Sequence, residues 1–241
     1  MESIQSILEA VSKAAVSARK LSKNQKQIIL TDLASALISN SEKIIQENKK
    51  DLDKMEDSNP KKDRLLLNDA RIKDLSNSLH DILKLEDPTG KVLSDNTMEN
   101  GLRIHKITVP IGVVGVIYEA RPNVTIDVAA LCLYAGNAVV LRGGSDAECT
   151  NLVLVEIIHE ILQKNNTDIN MIQLLPVDRK FVKELVEAVK YVDIIIPRGS
   201  QQLIDFVREN SKVPTDISSM TPSEQANLNA VRSRLGLDSK E

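Results

Sequence analysis

Between residues 111 and 196 the sequence repeats one alternation: a short, unbroken apolar run rich in β-branched residues, then a longer stretch with helical spacing. The runs are 111–118 (IGVVGVIY), 138–141 (AVVL), 171–175 (MIQLL) and 191–196 (YVDIII). A strand that alternates apolar with polar residues buries one face, whereas runs apolar at successive positions ask for cover on both. The stretches between them, 124–135, 152–163 and 181–190, have the length and apolar spacing of helices, and Gly136 suits the left-handed residue that closes the first. Strands joined through helical crossovers return to the same end of a sheet and so run parallel. The expected fold class is α/β, a doubly wound, mostly parallel sheet.

Residues 1–85 read instead as helices that each bury one stripe. The start, MESIQSILEAVSKAAVSARK, is amphipathic. Ser22 and Gln25 have the spacing of a capping box ahead of Ile29, Leu33, Ala36 and Leu37. Ser41 is placed to cap a helix carrying Ile44 and Ile45, Pro60 punctuates the polar stretch after it, and Asn68 is placed to start another with Ile72, Leu75, Leu79 and Ile82 on one side. Asp87-Pro88-Thr89-Gly90 is a turn signal, and 101–109 (GLRIHKITV) follows as an imperfect strand. After Arg208 the pattern fades. Residues 212–219 open a fifth strand weakened by Pro214, and 220–241 read as a short surface helix or a disordered tail. The expected division is 1–213, holding the helical segment, an arm strand and the α/β domain, and 214–241, a divergent tail.

Composition narrows the partners. With a net charge of −3 and scattered basic residues, no cationic surface for nucleic acid is expected. No apolar run approaches the ~20 residues of a spanning helix, so no membrane partner is expected. The start lacks the charged, apolar, small-residue order of a secretory signal, and two cysteines, Cys132 and Cys149, make neither a disulfide framework nor a metal site. A reducing cytoplasm is the default reading.

Ligands of open parallel sheets sit beyond the carboxyl ends of the strands. Three turns there carry glycine, basic or hydrogen-bonding residues: Glu119-Ala120-Arg121-Pro122-Asn123, Arg142-Gly143-Gly144-Ser145, and Pro197-Arg198-Gly199-Ser200. Such turns suit a phosphate, although glycines that merely shape tight turns read the same way. The dinucleotide fingerprint G-x-G-x-x-G is absent, since Gly112 and Gly115 fall inside the first run.

The stretch VPIGVVGVIYEARPNVTIDVAALCLYAGNAVVLRGGSDA resembles the γ-glutamyl phosphate reductase family, within the aldehyde dehydrogenase superfamily. DRLLLNDARI and LEDPTGKVL upstream, and VDIIIPRGSQQLI downstream, match it in the same order, over residues 8–213. The resemblance implies reduction of γ-glutamyl phosphate by NADPH to glutamate-5-semialdehyde, a step of proline biosynthesis, through a cysteine thioester. It implies that Asn123 is the amide that steadies the acyl oxygen as it gains charge, with a helix cap before Val124 as the structural alternative. It sets Arg142 beside the adenosine ribose. The glycines after it stand where NAD-specific relatives hold an acidic residue, which favours a 2′-phosphate, with Asp146 close by as a complication. The candidate cofactor set is Glu119, Arg121, Pro122, Arg142, Gly143, Gly144, Ser145, Arg198, Gly199 and Ser200. No metal is implied.

The resemblance also implies a catalytic half with the nucleophile in a G-x-C-H sequence, and these 241 residues contain none. Cys132 sits in an apolar helix and Cys149 lacks a His neighbour, so neither reads as the nucleophile. The expectation is a truncated chain that binds NADPH and does not turn over alone. The alternative is a non-catalytic protein pairing with an intact reductase, and the arm strand at 101–109 is the implied site of homo-oligomer contact.

Overall fold

The structure, a computed structural model, describes residues 3–216 apart from Asp57, Ala120 and the side chain of Lys61. Five helices come first: α1 (Gln5–Arg19), α2 (Lys23–Ser39), α3 (Ser41–Leu52), α4 (Lys61–Leu65) and α5 (Asp69–Lys84). The capping box forms as the sequence asks, with Ser22 Oγ accepting from the Gln25 amide at 3.2 Å and the Gln25 side chain accepting from the Ser22 amide at 3.0 Å. Asn68 caps α5 through the Arg71 amide at 2.9 Å. Ser41 does not cap. It is the first residue of α3, whose cap position belongs to Asn40, because α2 ends on that residue with no linker to spare.

Two strands, β1 (Val92–Thr97) and β2 (Arg103–Ile107), pair antiparallel in a sheet of their own. The sequence reading anticipated the second and missed the first, since VLSDNT carries only two apolar residues and no burial pattern. Every residue of β2 is exposed. The hairpin is tied down at its base. Lys26, buried in α2, reaches the Asp87 carboxylate at 3.1 Å and Thr89 Oγ1 at 3.3 Å.

The rest is the expected alternation: β3 (Val113–Tyr118), α6 (Pro122–Tyr134), β4 (Ala138–Arg142), α7 (Glu148–Lys164), β5 (Ile172–Leu174), α8 (Arg179–Val186), β6 (Ile194–Arg198) and α9 (Gln201–Asn210). The four strands are parallel in the order β5-β4-β3-β6. Period-two geometry divides them between two cores. Val114, Val116 and Tyr118 of β3, with Val139 and Leu141 of β4, pack under α2, α5, α6 and α7. Val113 and Ile117, with Ala138 and Val140, face α1 and α8. The sheet is covered on both faces, which is why its strands are apolar at consecutive positions.

Several boundaries differ from those read in the sequence, each for a tertiary reason. Helix α7 starts at Glu148 and not at 152, because Asp51 of α3 supplies the cap from outside. Its carboxylate accepts from the Thr150 amide at 2.8 Å and the Cys149 amide at 3.2 Å. Helix α8 ends at Val186, short of 190, because the Val186 carbonyl accepts the amides of Lys212 and Val213 from the returning chain. Strand β6 accordingly begins at Ile194. Beside it Ile195 makes an isolated parallel bridge to Thr215, which falls within the fifth strand anticipated at 212–219; residues 217–219 of that stretch lie outside the described residues. The tail read at 220–241 lies outside the described residues.

Candidate functional site

The sheet order places the change of direction between β3 and β6, where the chain has built outward through β4 and β5 and then crosses to the other side. Helices leave opposite faces there and open a crevice at the strand tips. Glu119, just past β3, occupies it. Its amide donates to the Arg198 carbonyl at 3.3 Å, and its Oε1 accepts from Ser200 Oγ at 2.7 Å. Gly199 passes over the Glu119 side chain so closely that a Cβ would stand 2.8 Å from its Cδ. Ser200 also caps α9, accepting from the Leu203 amide at 3.4 Å. Gly144 lies against the Glu119 backbone, whereas Ser145, in a short 3₁₀ turn, and Arg198 are exposed. The three turns singled out in the sequence thus meet around Glu119.

The β4 tip holds two donors without acceptors. Arg142 Nη2 donates to the Val177 carbonyl at 2.6 Å, while its Nε is buried and unpartnered. Burial lowers the pKa of its guanidinium, and the Arg179 charge adds to that effect. Under Gly143 lies Asn151, so close that a Cβ on the glycine would meet Asn151 Nδ2 at 2.3 Å. Asn151 is 1 % exposed, and its Oδ1 accepts from Thr125 Oγ1 at 2.8 Å. Thr125 in turn accepts from Tyr118 Oη at 2.7 Å, since its own hydrogen goes to Asn151. Burial pushes the Tyr118 hydroxyl well above its ordinary pKa, which keeps it a donor. That chain fixes the amide, and Asn151 Nδ2 is left unpartnered. A groove of about 180 Å³, lined by Gly143, Asn151, Pro176 and Val177, runs beside it.

Asn123 faces elsewhere. Helix α6 begins with Pro122, whose fixed φ suits the first helical position, so Arg121 takes the cap position and makes no side-chain cap bond. Asn123 is therefore inside the helix and is not its cap, which removes the structural alternative. Its Nδ2 lies 3.4 Å from Asp127 Oδ2, and Asp127 Oδ1 accepts from Ser78 Oγ of α5 at 2.9 Å. An amide nitrogen carries two hydrogens, so one stays free. Arg121, Pro122, Asn123 and Asp127 form one wall of a cavity of about 420 Å³, and α4 and α5 form the other. Arg121 and Pro122, read in the sequence with the cofactor turns, stand in this second cavity.

An aldehyde dehydrogenase family model matches residues 1–219. The chain belongs to the aldehyde dehydrogenase family. Within it, the chain is 47 % identical over 213 residues to the γ-glutamyl phosphate reductase of Chlorobium phaeobacteroides (strain BS1), an alignment covering 88 % of this chain and 51 % of that one. It is 47 % identical over 186 residues to that of Bacteroides fragilis (strain YCH46), covering 77 % and 45 %. The crystal structure of γ-glutamyl phosphate reductase from Thermotoga maritima superposes with a TM-score of 0.85 at 34 % identity, over 89 % of this chain and 53 % of that one. The Saccharomyces cerevisiae enzyme gives 0.81 at 29 %, over 89 % and 56 %. The chain spans about half the length of the curated relatives it matches.

In this aldehyde dehydrogenase family member both thiols are poor nucleophiles. Burial pushes Cys132 up to about 12. Cys149 is raised by burial and then by the Asp51 carboxylate, with Lys54 at 3.6 Å opposing. Neither lines either cavity. Among the described residues no His, Cys, Asp or Glu cluster suits a metal, and no helix is long and apolar enough to cross a membrane. Sequence reasoning missed Asn151, Ser78 and Asp127. Asn151 reads as one polar residue early in an apolar helix, and only the glycine across from it in space gives it meaning. Ser78 and Asp127 sit on different helices, each a common exposed residue type.

Proposed function

We propose that this chain carries the cofactor-binding part of a γ-glutamyl phosphate reductase, reducing γ-glutamyl phosphate with NADPH to glutamate-5-semialdehyde and phosphate. The substrate assignment rests on the similarity to reductases of that name. The observation that carries the cofactor assignment is the pair of unpartnered donors, Arg142 Nε and Asn151 Nδ2, at the β4 tip. A buried donor without an acceptor costs roughly 1–3 kcal/mol, so both ask for acceptor oxygens from a ligand. A dinucleotide brings such oxygens, and the groove beside Gly143 and Asn151 is where they would enter. Arg142 and Arg179, with Ser145, form the end of the site that would take the adenosine 2′-phosphate. Glu119, Gly199, Ser200 and Arg198 would hold the middle of the cofactor. A bound reduced nicotinamide supplies the hydride. Asn123 directs its free amide hydrogen toward the oxygen that gains charge, and Asp127 with Ser78 keeps that amide in place.

The experiment is a titration of the purified chain with NADPH and NADH, followed by nucleotide fluorescence. NADPH binding at least about tenfold tighter than NADH, with the preference lost in Arg142→Ala, is the expected result. Equal affinity for both, or binding of neither, would sink the cofactor assignment. With both thiols protonated at neutral pH, the chain is expected to show no phosphate-dependent oxidation of glutamate-5-semialdehyde. A soluble, cytoplasmic setting follows from that biosynthetic role.

A second role is favoured by the β1–β2 hairpin. Leu93, Leu102, Ile104 and Ile107 are all exposed on it, and β2 pairs only with β1 among the described residues. We propose it as the surface through which copies of the chain, or an intact reductase, associate. Sedimentation should show a dimer or higher species at micromolar concentration. A monomer throughout would remove this role.

A further inference from the structure

The tip of β6 has the outline of a phosphate seat, a glycine and a serine at the start of α9, yet its hydroxyl is already engaged. Ser200 Oγ has one hydrogen, which goes to Glu119 Oε1 at 2.7 Å, while the same oxygen accepts from the Leu203 amide at 3.4 Å. Helix α9 has no acidic residue in its first turn, so the anion at its positive end is Glu119, sent across from β3. The turn is shaped to admit that carboxylate. A Cβ on Gly199 would stand 2.8 Å from Glu119 Cδ and 2.9 Å from Cγ, and would push the side chain away. Among the described residues Glu119 enters no ion pair, and its Oε2 has no partner.

A pyrophosphate laid on this turn would meet a seated carboxylate, and like charges disfavour that placement. A carboxylate with an open oxygen suits the opposite chemistry, a ligand that donates through hydroxyls, and an acidic residue near a strand tip commonly holds the hydroxyls of a ribose. NADPH carries two riboses. The adenosine ribose has its 2′ oxygen phosphorylated, so the one vicinal diol in the molecule belongs to the nicotinamide ribose. We infer that Glu119 is a specificity residue for that diol, with Oε2 accepting from its hydroxyls, and that Ser200 is the positioning residue that aims the carboxylate. Arg198, exposed and in no ion pair among the described residues, is left for the pyrophosphate. The inference rests on the cofactor reading and divides the middle of the cofactor between two residues of opposite charge.

The test compares three ligands on the full chain by calorimetry. NADPH is the first. The second, 2′-phospho-ADP-ribose, keeps the pyrophosphate and the distal ribose without the nicotinamide, and the third, 2′,5′-ADP, has neither distal ribose nor pyrophosphate. Glu119→Gln removes the charge and should weaken the first two about tenfold while leaving 2′,5′-ADP within about twofold. Ser200→Ala, which releases the carboxylate, should weaken the same two about threefold, and Ser200→Thr, which keeps the hydroxyl, should restore them. If Glu119→Gln loses all three ligands together with its cooperative melt, the Ser200 pair decides. NADPH binding that tightens in Glu119→Gln would put the pyrophosphate on α9 and overturn the inference. Unchanged NADPH affinity, or an equal loss for all three ligands in a folded variant, would overturn it as well, and each of these leaves the cofactor assignment standing. No binding of NADPH by the unaltered chain would remove that assignment and this inference with it.

Discussion

Strands β2 and β3 follow one another in the chain and differ in almost every physical respect. Each residue of β3 is buried and each residue of β2 is exposed. Both satisfy their backbone in a hydrogen-bonded ladder, so the ladder does not separate them. What separates them is cover: β3 lies between β4 and β6 with helices over both faces, and among the described residues β2 has a single partner strand and no helix over it. The sheet is stabilised by apolar burial at about 25 cal/mol per Å². The hairpin depends on its anchor at Lys26, Asp87 and Thr89. Stability therefore belongs to one region and exposed apolar surface to the other.

The sharpest way to break this comparison is one substitution made in both strands. Val116→Asp puts an unpaired charge in a fully buried position and should cost at least ~4 kcal/mol, enough to abolish a cooperative thermal melt. Leu141→Ala, in the neighbouring strand and equally buried, should cost about 2–5 kcal/mol in urea unfolding. Asp87→Asn tests the anchor between the regions. It leaves the buried Lys26 without its carboxylate and should cost about 1.5–3 kcal/mol.

The pH dependence at that anchor has a definite sign. Burial pushes the Asp87 carboxyl up, but the Thr89 amide and hydroxyl and the Lys26 ammonium outweigh it and hold the group below its ordinary 3.8. A depressed carboxylate contributes its stabilisation in full above 3.8 and loses it as pH falls through the lower folded value. The wild-type advantage over Asp87→Asn in melting temperature should therefore shrink as pH drops below about 4. An advantage that stays constant to pH 2 would mean that Lys26 and Asp87 do not interact. The smallest effect is Ile104→Asp, the counterpart of Val116→Asp on the arm, which should change monomer stability by no more than about 0.5 kcal/mol. A cost like that of Val116→Asp would show that the hairpin is covered and that the two strands are alike.

Much of this was legible in the residues. The Ser22–Gln25 box, the Asn68 cap and the glycine at 136, with φ +74°, are local devices whose partners lie within a few positions, and each forms as read. Asn123 was misplaced as a possible cap because Pro122 claims the first helical position and starts α6 earlier. The candidate site divided more than the sequence suggested. Its glycine turns gather around Glu119, whereas Arg121 and Pro122 turn toward a cavity whose second wall comes from helices that the strand-tip rule does not inspect.

By itself the sequence determined the alternation of strand and helix, the parallel sense of the sheet and the identity of its tip residues. Periodicity and turn chemistry act between neighbours and are written residue by residue. Only the tertiary structure decided that Asp51 caps a helix 98 residues away, that Asn151 lies under Gly143, and that α5 closes a charged cavity against α6. Those contacts depend on which buried surfaces meet, and no local pattern carries that information.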